Sequence, residues 1–141
     1  MLEFSFVYGE NGHMLSQDLR AVIFGGEISD DMEDKSYHIV GYDKTKQIAV
    51  GRFSPISETV CRIDFVGVRE DYRRQFVGDL VMKAIEDKAK NLGIKTAVLE
   101  TPDTAVPFFE FEDYENMGKT EDGKTKMRKD LTKEHKCRGC M

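Results

Sequence analysis

Phe65-Val66-Gly67-Val68, then Arg69 to Tyr72, then Arg73-Arg74-Gln75-Phe76-Val77-Gly78 lead without a break into the most regular stretch of the chain. Thr59 to Val68 is apolar and β-branched, which predicts a strand. From Val77 to Leu92, the residues Leu80, Val81, Ala84, Ile85, Ala89 and Leu92 fall on one stripe, and Glu86, Asp87, Lys88 and Lys90 supply the wet side. That spacing predicts an amphipathic helix. Gly93 ends it, and Lys95 to Glu100 follows as a strand whose Ala97-Val98-Leu99 run predicts burial on both faces. Strand, helix and strand in that order make a right-handed parallel crossover. The tight turn before the helix aims backbone N–H groups and the positive end of the helix dipole at one point, a geometry suited to phosphate. Arg73 and Arg74 add the charge to hold a diphosphate. A solvated basic turn has the same appearance, so the residues alone leave both readings open.

Working outward, Leu2 to Tyr8 alternates apolar and polar residues and predicts a first strand, ended by Gly9 and an Asn11-Gly12 turn. Met14 to Phe24 has apolar residues at helical spacing and stops at Gly25-Gly26. Glu27 to Lys35 is strongly acidic and reads as a solvated link or short helix; it could also attract a cationic amine or basic peptide. His38 to Tyr42 and Gln47 to Phe53 predict a hairpin around Asp43-Lys44-Thr45-Lys46. Ala105 to Glu112 predicts a short helix with Pro107 in its first turn. Tyr114 to Met117 and Lys124 to Leu131 predict a closing hairpin around Asp122-Gly123. The expected fold class is α+β: one domain over residues 1–131 with a mixed, mostly antiparallel sheet of six or seven strands flanked by helices. Residues 132–141 read as a flexible tail.

The chain has 141 residues, and 26 acidic against 21 basic residues give a net charge of −5. One domain of this size buries a real core. Mild acidity argues against broad nucleic-acid binding, which uses a basic face. No apolar run approaches the roughly 20 residues of a membrane span, and the N-terminus has no basic leader, so the expected compartment is cytoplasmic. Three cysteines do not make a secreted disulfide framework. His135, Cys137 and Cys140 have zinc-ligand chemistry but no second cysteine pair to close a site, so no metal is expected. A thiol- or metal-sensing module in that tail is the weakest reading of function.

The turn resembles the acyl-CoA-binding motif of the GCN5-related N-acetyltransferases, in which Arg or Gln, two residues, Gly, one residue, and Gly or Ala follow the central strand. Arg73 and Gly78 match; Phe76 stands where the family has its first glycine. Ala105-Val106-Pro107-Phe108-Phe109-Glu110 resembles the Ala-Val-Pro-Phe-Tyr-Glu stretch of a compact bacterial subgroup, with phenylalanine at position 109 in place of the tyrosine. The resemblance runs from Leu2 to about Leu131. It implies acetyl-CoA as co-substrate and a small-molecule or peptide amine as acceptor, without nucleic acid or membrane; a homodimer is left open. It implies that backbone groups of Val66, Gly67 and Val68 hold the pantetheine arm, and that a backbone N–H near Val66 polarises the thioester. It also implies that Arg73, Arg74, Gln75, Phe76, Val77, Gly78 and Asp79 cradle the phosphates. At Phe76 this expects a negative φ, with the N–H aimed inward.

In the family that tyrosine protonates the departing thiolate, and phenylalanine has no proton to give. Tyr114 is the nearest phenol in sequence and the candidate acid, with core packing as its other reading. Asp64 and Glu100 rank first as general base because both lie near the expected splay of the strands, ahead of Glu27 and His38. Each is equally an ordinary carboxylate at a strand end or an ion-pair partner for Arg62 or Arg52. Two function classes follow: an acetyl-CoA-dependent N-acetyltransferase, or a degenerate domain of that fold that binds CoA or a protein partner without turnover.

Overall fold

In the computed structural model, which describes residues 2–26 and 29–133, seven strands form one sheet. They are β1 (Leu2–Tyr8), β2 (Tyr37–Asp43), β3 (Lys46–Pro55), β4 (Val60–Val68), β5 (Thr96–Thr101), β6 (Glu115–Lys119) and β7 (Thr125–Asp130). Their spatial order is β1-β2-β3-β4-β5-β7-β6. Only β4 and β5 run parallel, because only they are joined by a crossover helix. The helices are α1 (Glu10–Phe24), α2 (Val77–Asn91) and α3 (Val106–Phe111). The expected α+β class is the observed one.

The two main helices cover opposite faces. Gly51 of β3 faces α2 so closely that a Cβ there would lie 2.9 Å from Ile85 Cδ1. Its neighbour Arg52 points to the other face, where α1 lies, since successive residues of a strand alternate. The apolar stripe of α2 buries Val81, Met82, Ile85 and Ala89 against Ile39, Phe53, Cys61, Ile63, Ala97 and Leu99. Burying a side chain of this kind is worth roughly 1.5–3 kcal/mol, so this layer dominates stability. Val98 is only half-buried, so β5 is not sealed on both faces as its apolar run predicted.

The sequence reading misplaces the start of α1. The helix begins at Glu10, and Asn11-Gly12 lies inside it rather than forming a turn. Gly9 makes the turn instead, with φ 78°. Gly12 is glycine for a packing reason: a Cβ there would stand 2.2 Å from the Val7 carbonyl oxygen and 2.6 Å from the His38 ring. The acidic link contains a short 3-10 turn at Glu33–Lys35. Among the described residues, no helix is long and apolar enough to cross a membrane. Glu27 and the His135, Cys137 and Cys140 tail lie outside the described residues.

Candidate functional site

β4 and β5 pair over three positions only, Val60↔Thr96, Cys61↔Ala97 and Arg62↔Val98. Beyond Arg62 the two strands part, although β4 continues to Val68 and β5 to Thr101. The bend has a local cause on the other edge of β4. Arg52 pairs with Asp64 and Val50 with Gly67, so Gly51 alone opposes both Phe65 and Val66. Phe65 takes φ 54°, and a bulge with a left-handed first residue bends and twists its strand. The β5-facing edge of β4 near Val66 and Val68 is thereby left unpaired by β5. An extended, amide-bearing arm could add there as a further strand.

The end of β4 leads through a 3-10 turn (Glu70–Tyr72) into α2. Arg74 has φ 65° and Phe76 φ 62°, both in the left-handed region. This corrects the expectation of a negative φ at Phe76: the chain needs left-handed residues to swing from the 3-10 turn into the helix axis, and glycine is not there to supply them. Phe76 is the N-cap and provides no side-chain cap, and its ring is turned outward. The first-turn N–H groups of α2, at Val77, Gly78 and Asp79, therefore face outward without a capping side chain. Left-handed residues beside right-handed ones turn successive N–H groups into an anion-receiving concavity. Gly78 admits the close approach of α3, since a Cβ there would lie 3.2 Å from the Phe108 ring. The turn is anchored from behind: the Tyr72 hydroxyl donates to Asp43 at 2.6 Å, and Arg69 Nε donates to the Gln47 carbonyl at 2.6 Å. Arg73 Nε donates to the Val68 carbonyl at 3.0 Å. An uncapped helix start, two arginines and an open strand edge in one line fit a ligand carrying a diphosphate and an extended amide arm.

Asp64 and Glu100 lie on the same face of the sheet. The register puts Arg62 beside Val98, so the alternating residues Asp64 and Glu100 share their side. Their situations differ. Asp64 accepts from Arg52 Nη2 at 2.7 Å through Oδ2 and from Arg62 Nε at 3.0 Å through Oδ1. Both of its oxygens are committed to guanidinium groups, the ion-pair role weighed for it from sequence. Glu100 is exposed on β5, across from Lys126 of β7.

Tyr114 is not brought into the cleft, which corrects its assignment as candidate acid. It is buried beneath α2, and its hydroxyl donates to Glu86 Oε2 at 2.9 Å, itself paired with Lys129. Burial, then the Glu86 charge, pushes the phenol well above its ordinary range, so it keeps its proton. His38 is buried too, with Nε2 3.0 Å from the Glu33 carbonyl, and burial lowers its pKa.

Two clusters go beyond what the sequence marks. In the first, the buried Arg52 guanidinium donates to Asp30 at 2.6 and 2.9 Å, lies 3.1 Å from Glu33 and reaches Asp64. Arg20 of α1 donates to both Glu33 oxygens, and both guanidiniums lie over the Phe65 ring at 4.1 and 4.6 Å. The Arg52 hydrogen bonds hold Asp30 down at about 2. Burial pushes Glu33 upward, but the two guanidiniums outweigh it and its pKa is lowered. This network fastens the acidic link to the bulge, beside an open hollow of about 300 Å³ whose lining includes Glu10, His13, Asp30, Asp31 and Asp34. In the second, Glu112 at the end of α3 has a fully buried side chain held at 3.2 Å by Lys83, which also pairs with Asp79. Burial, and then the facing Asp79 carboxylate, raises Glu112 to about 7. The Asp79–Lys83 helical spacing is legible in the sequence; Glu112 and Arg52 act across distances that no local pattern marks.

Residues 8–111 match the sequence model of the Acetyltransferase (GNAT) family. The uncharacterized N-acetyltransferase YjcF of Bacillus subtilis is 30% identical over 92 residues, 65% of this chain and 65% of that protein. The chain thus spans just under two thirds of the length of this curated relative. A Lactobacillus plantarum protein designated an N-acetyltransferase superposes with a TM-score of 0.78 at 25% identity, covering 92% of this chain and 98% of that one. An aminoglycoside 6'-N-acetyltransferase solved with coenzyme A shares the fold at 11% identity, with a TM-score of 0.73 and coverage of 94% and 99%.

Proposed function

The chain belongs to the acetyltransferase (GNAT) family, and from that premise we propose that it moves an acetyl group from acetyl-CoA to the amine of a small molecule or peptide. The observation that carries this reading is the parting of β4 from β5 beyond Arg62, in line with the uncapped start of α2. The diphosphate would lie on the N–H groups of Gln75 to Asp79, with Arg73 and Arg74 beside it. The pantetheine arm would follow the open edge at Val66 and Val68, and the thioester would reach the gap between the strands.

The neutral amine attacks the thioester carbonyl carbon, with a backbone N–H near Val66 taking up the developing oxyanion charge. The carbon–sulfur bond then breaks, the electron pair leaves on sulfur, and the acceptor nitrogen loses its proton. Glu100 is the favoured receiver of that proton, directly or through water, because its carboxylate is exposed on the cleft face. Asp64 is better suited to positioning, since both of its oxygens are already held by guanidinium groups. Phe109 gives the departing thiolate no proton, so solvent must supply it. The acidic hollow beside Asp30 favours acceptors that carry positive charge.

Phe109 also favours a second reading, in which the domain binds CoA or a protein partner without turnover. Thermal unfolding with acetyl-CoA, with CoA and without ligand tests the cradle; release of free CoA thiol across a panel of amines tests turnover. Saturating ligand at 100 times its dissociation constant stabilises by about 2.7 kcal/mol. For this size that raises the melting temperature by roughly 5–10 °C. A shift with thiol release supports the enzyme, a shift without release with any amine supports the binding module, and no shift at millimolar ligand removes the acyl-CoA reading.

A further inference from the structure

Phe76 has a backbone that favours glycine and a side chain that the fold does not use. Its φ of 62° puts a Cβ-bearing residue in the left-handed region, which costs roughly 1–2 kcal/mol relative to right-handed backbone. Its ring is 72% exposed, the most exposed large apolar side chain in the protein's described part, and it stands outside the core cluster. Leu80, one helical turn on, is also exposed, so the two extend an apolar surface along the outer side of the turn. Arg73 and Arg74 precede it in the same turn. Backbone strain together with an aromatic ring held in water is the kind of local conflict that marks a functional position.

We propose that Phe76 is the stacking platform for the adenine ring of the acyl-CoA substrate, and that it sets the preference for the complete nucleotide over its pantetheine half. This rests on the acyl-CoA reading of the cradle given above. If the arm runs inward along β4, the group on the far side of the diphosphate must lie outward, over the turn. In coenzyme A that group is adenosine 3'-phosphate: a flat π-face with an extra anion. An exposed aromatic ring beside two arginines is complementary to both parts, since bases stack on aromatic side chains and arginine takes phosphate. A glycine at position 76 would offer the diphosphate the same N–H with less strain but give the base nothing to rest on.

The test is titration calorimetry of the full chain with CoA and with 4'-phosphopantetheine, which lacks the adenosine 3'-phosphate and one phosphate of the diphosphate. It uses wild type and Phe76→Leu, which keeps a branched apolar residue on the same backbone and removes the π-face. The expected result is a loss of at least about fivefold in CoA affinity with phosphopantetheine affinity unchanged. The chain has no tryptophan, so Phe76→Trp places a lone indole at the site. CoA should be bound as by wild type and should quench that indole, while phosphopantetheine should leave it bright. Unchanged CoA affinity in Phe76→Leu, equal losses for both ligands, or an unquenched indole at CoA saturation would each overturn the proposal while leaving the cradle intact. A wild type that binds neither ligand overturns the cradle and the platform together.

Discussion

Arg52 Nη2 on β3 stands 2.7 Å from Asp64 Oδ2 on β4, two residues past the last β4–β5 pair. The same guanidinium grips Asp30, so one side chain ties the acidic link to the strand that bends away at the bulge. Cleft shape and loop position therefore meet at one buried cation, with Arg20 holding the link a second time through Glu33. Arg52→Met should leave Asp30, Glu33 and Asp64 without their shared partner. Losing one member of a buried ion network costs about 3–5 kcal/mol, because the remaining charges stay desolvated. Urea unfolding at pH 7 would register this as a lower midpoint. A midpoint within experimental error of wild type would mean that the carboxylates find solvent without cost.

Asp30 and Glu112 act on stability in opposite directions with pH. Asp30 is lowered from 3.8 to about 2, so the folded state holds its proton less tightly than the unfolded chain does. Its contribution is present above pH 4 and lost as pH falls through about 2. Glu112 is raised from 4.5 to about 7, so over that interval the folded state binds the extra proton. The stability that Glu112 contributes must then fall as pH rises from 4.5 to 7, by roughly 2–3 kcal/mol for a shift of this size. Glu112→Gln should flatten the urea midpoint across pH 5–7.5. A slope equal to wild type would place the titrating group elsewhere.

How much of this was legible depends on whether the cause is local. The α2 stripe is legible in spacing at Val81, Ile85 and Ala89, although Leu80 and Leu92, read onto the same stripe, are exposed; the β4-α2-β5 crossover is legible in the order of elements. The start of α1 was misread because Asn11-Gly12 has the composition of a turn, whereas Gly12 answers to His38, 26 residues further along the chain. The left-handed Phe76 was illegible because phenylalanine signals the opposite of a positive φ. The proposed cradle rests on its arginines and on resemblance to known enzymes. Arg52 was named only as an ion-pair partner; its grip on Asp30 joins positions 22 residues apart, and no periodicity reports that.

Within the cradle, Arg73→Ala with Arg74→Ala should weaken CoA binding by more than tenfold. Two charge-assisted contacts to phosphate at about 1.5–3 kcal/mol each allow a larger loss, which solvent exposure reduces. Arg73 also donates to the Val68 carbonyl, so its removal loosens the strand edge that the pantetheine arm would follow. Calorimetry at two ionic strengths separates the effects. The wild type should lose affinity with added salt, and the double variant should lose less. Equal affinity for both proteins at low salt would take the diphosphate away from this turn.

On the acetyltransferase reading proposed above, Phe109 bears on how fast the site turns over. It lies in α3, largely buried, with Phe108 edge-on at 5.0 Å and Tyr114 edge-on at 5.9 Å. The phenol nearest to it is committed to Glu86, so no other hydroxyl in this cluster replaces the missing acid. Phe109→Tyr adds one oxygen at the position where the family places its proton donor. A well-positioned acid contributes about 10²–10⁴-fold, and thiolate is a tolerable leaving group, so the gain should sit at the low end of that range. It should appear in kcat with little change in the KM for acetyl-CoA, because the hydroxyl acts as the sulfur departs rather than on binding. The added acid should also impose a loss of rate at high pH that the wild type lacks. A variant that binds acetyl-CoA normally yet releases thiol no faster with any amine would mean that Phe109 packs away from the sulfur, and would favour the domain that binds without turnover.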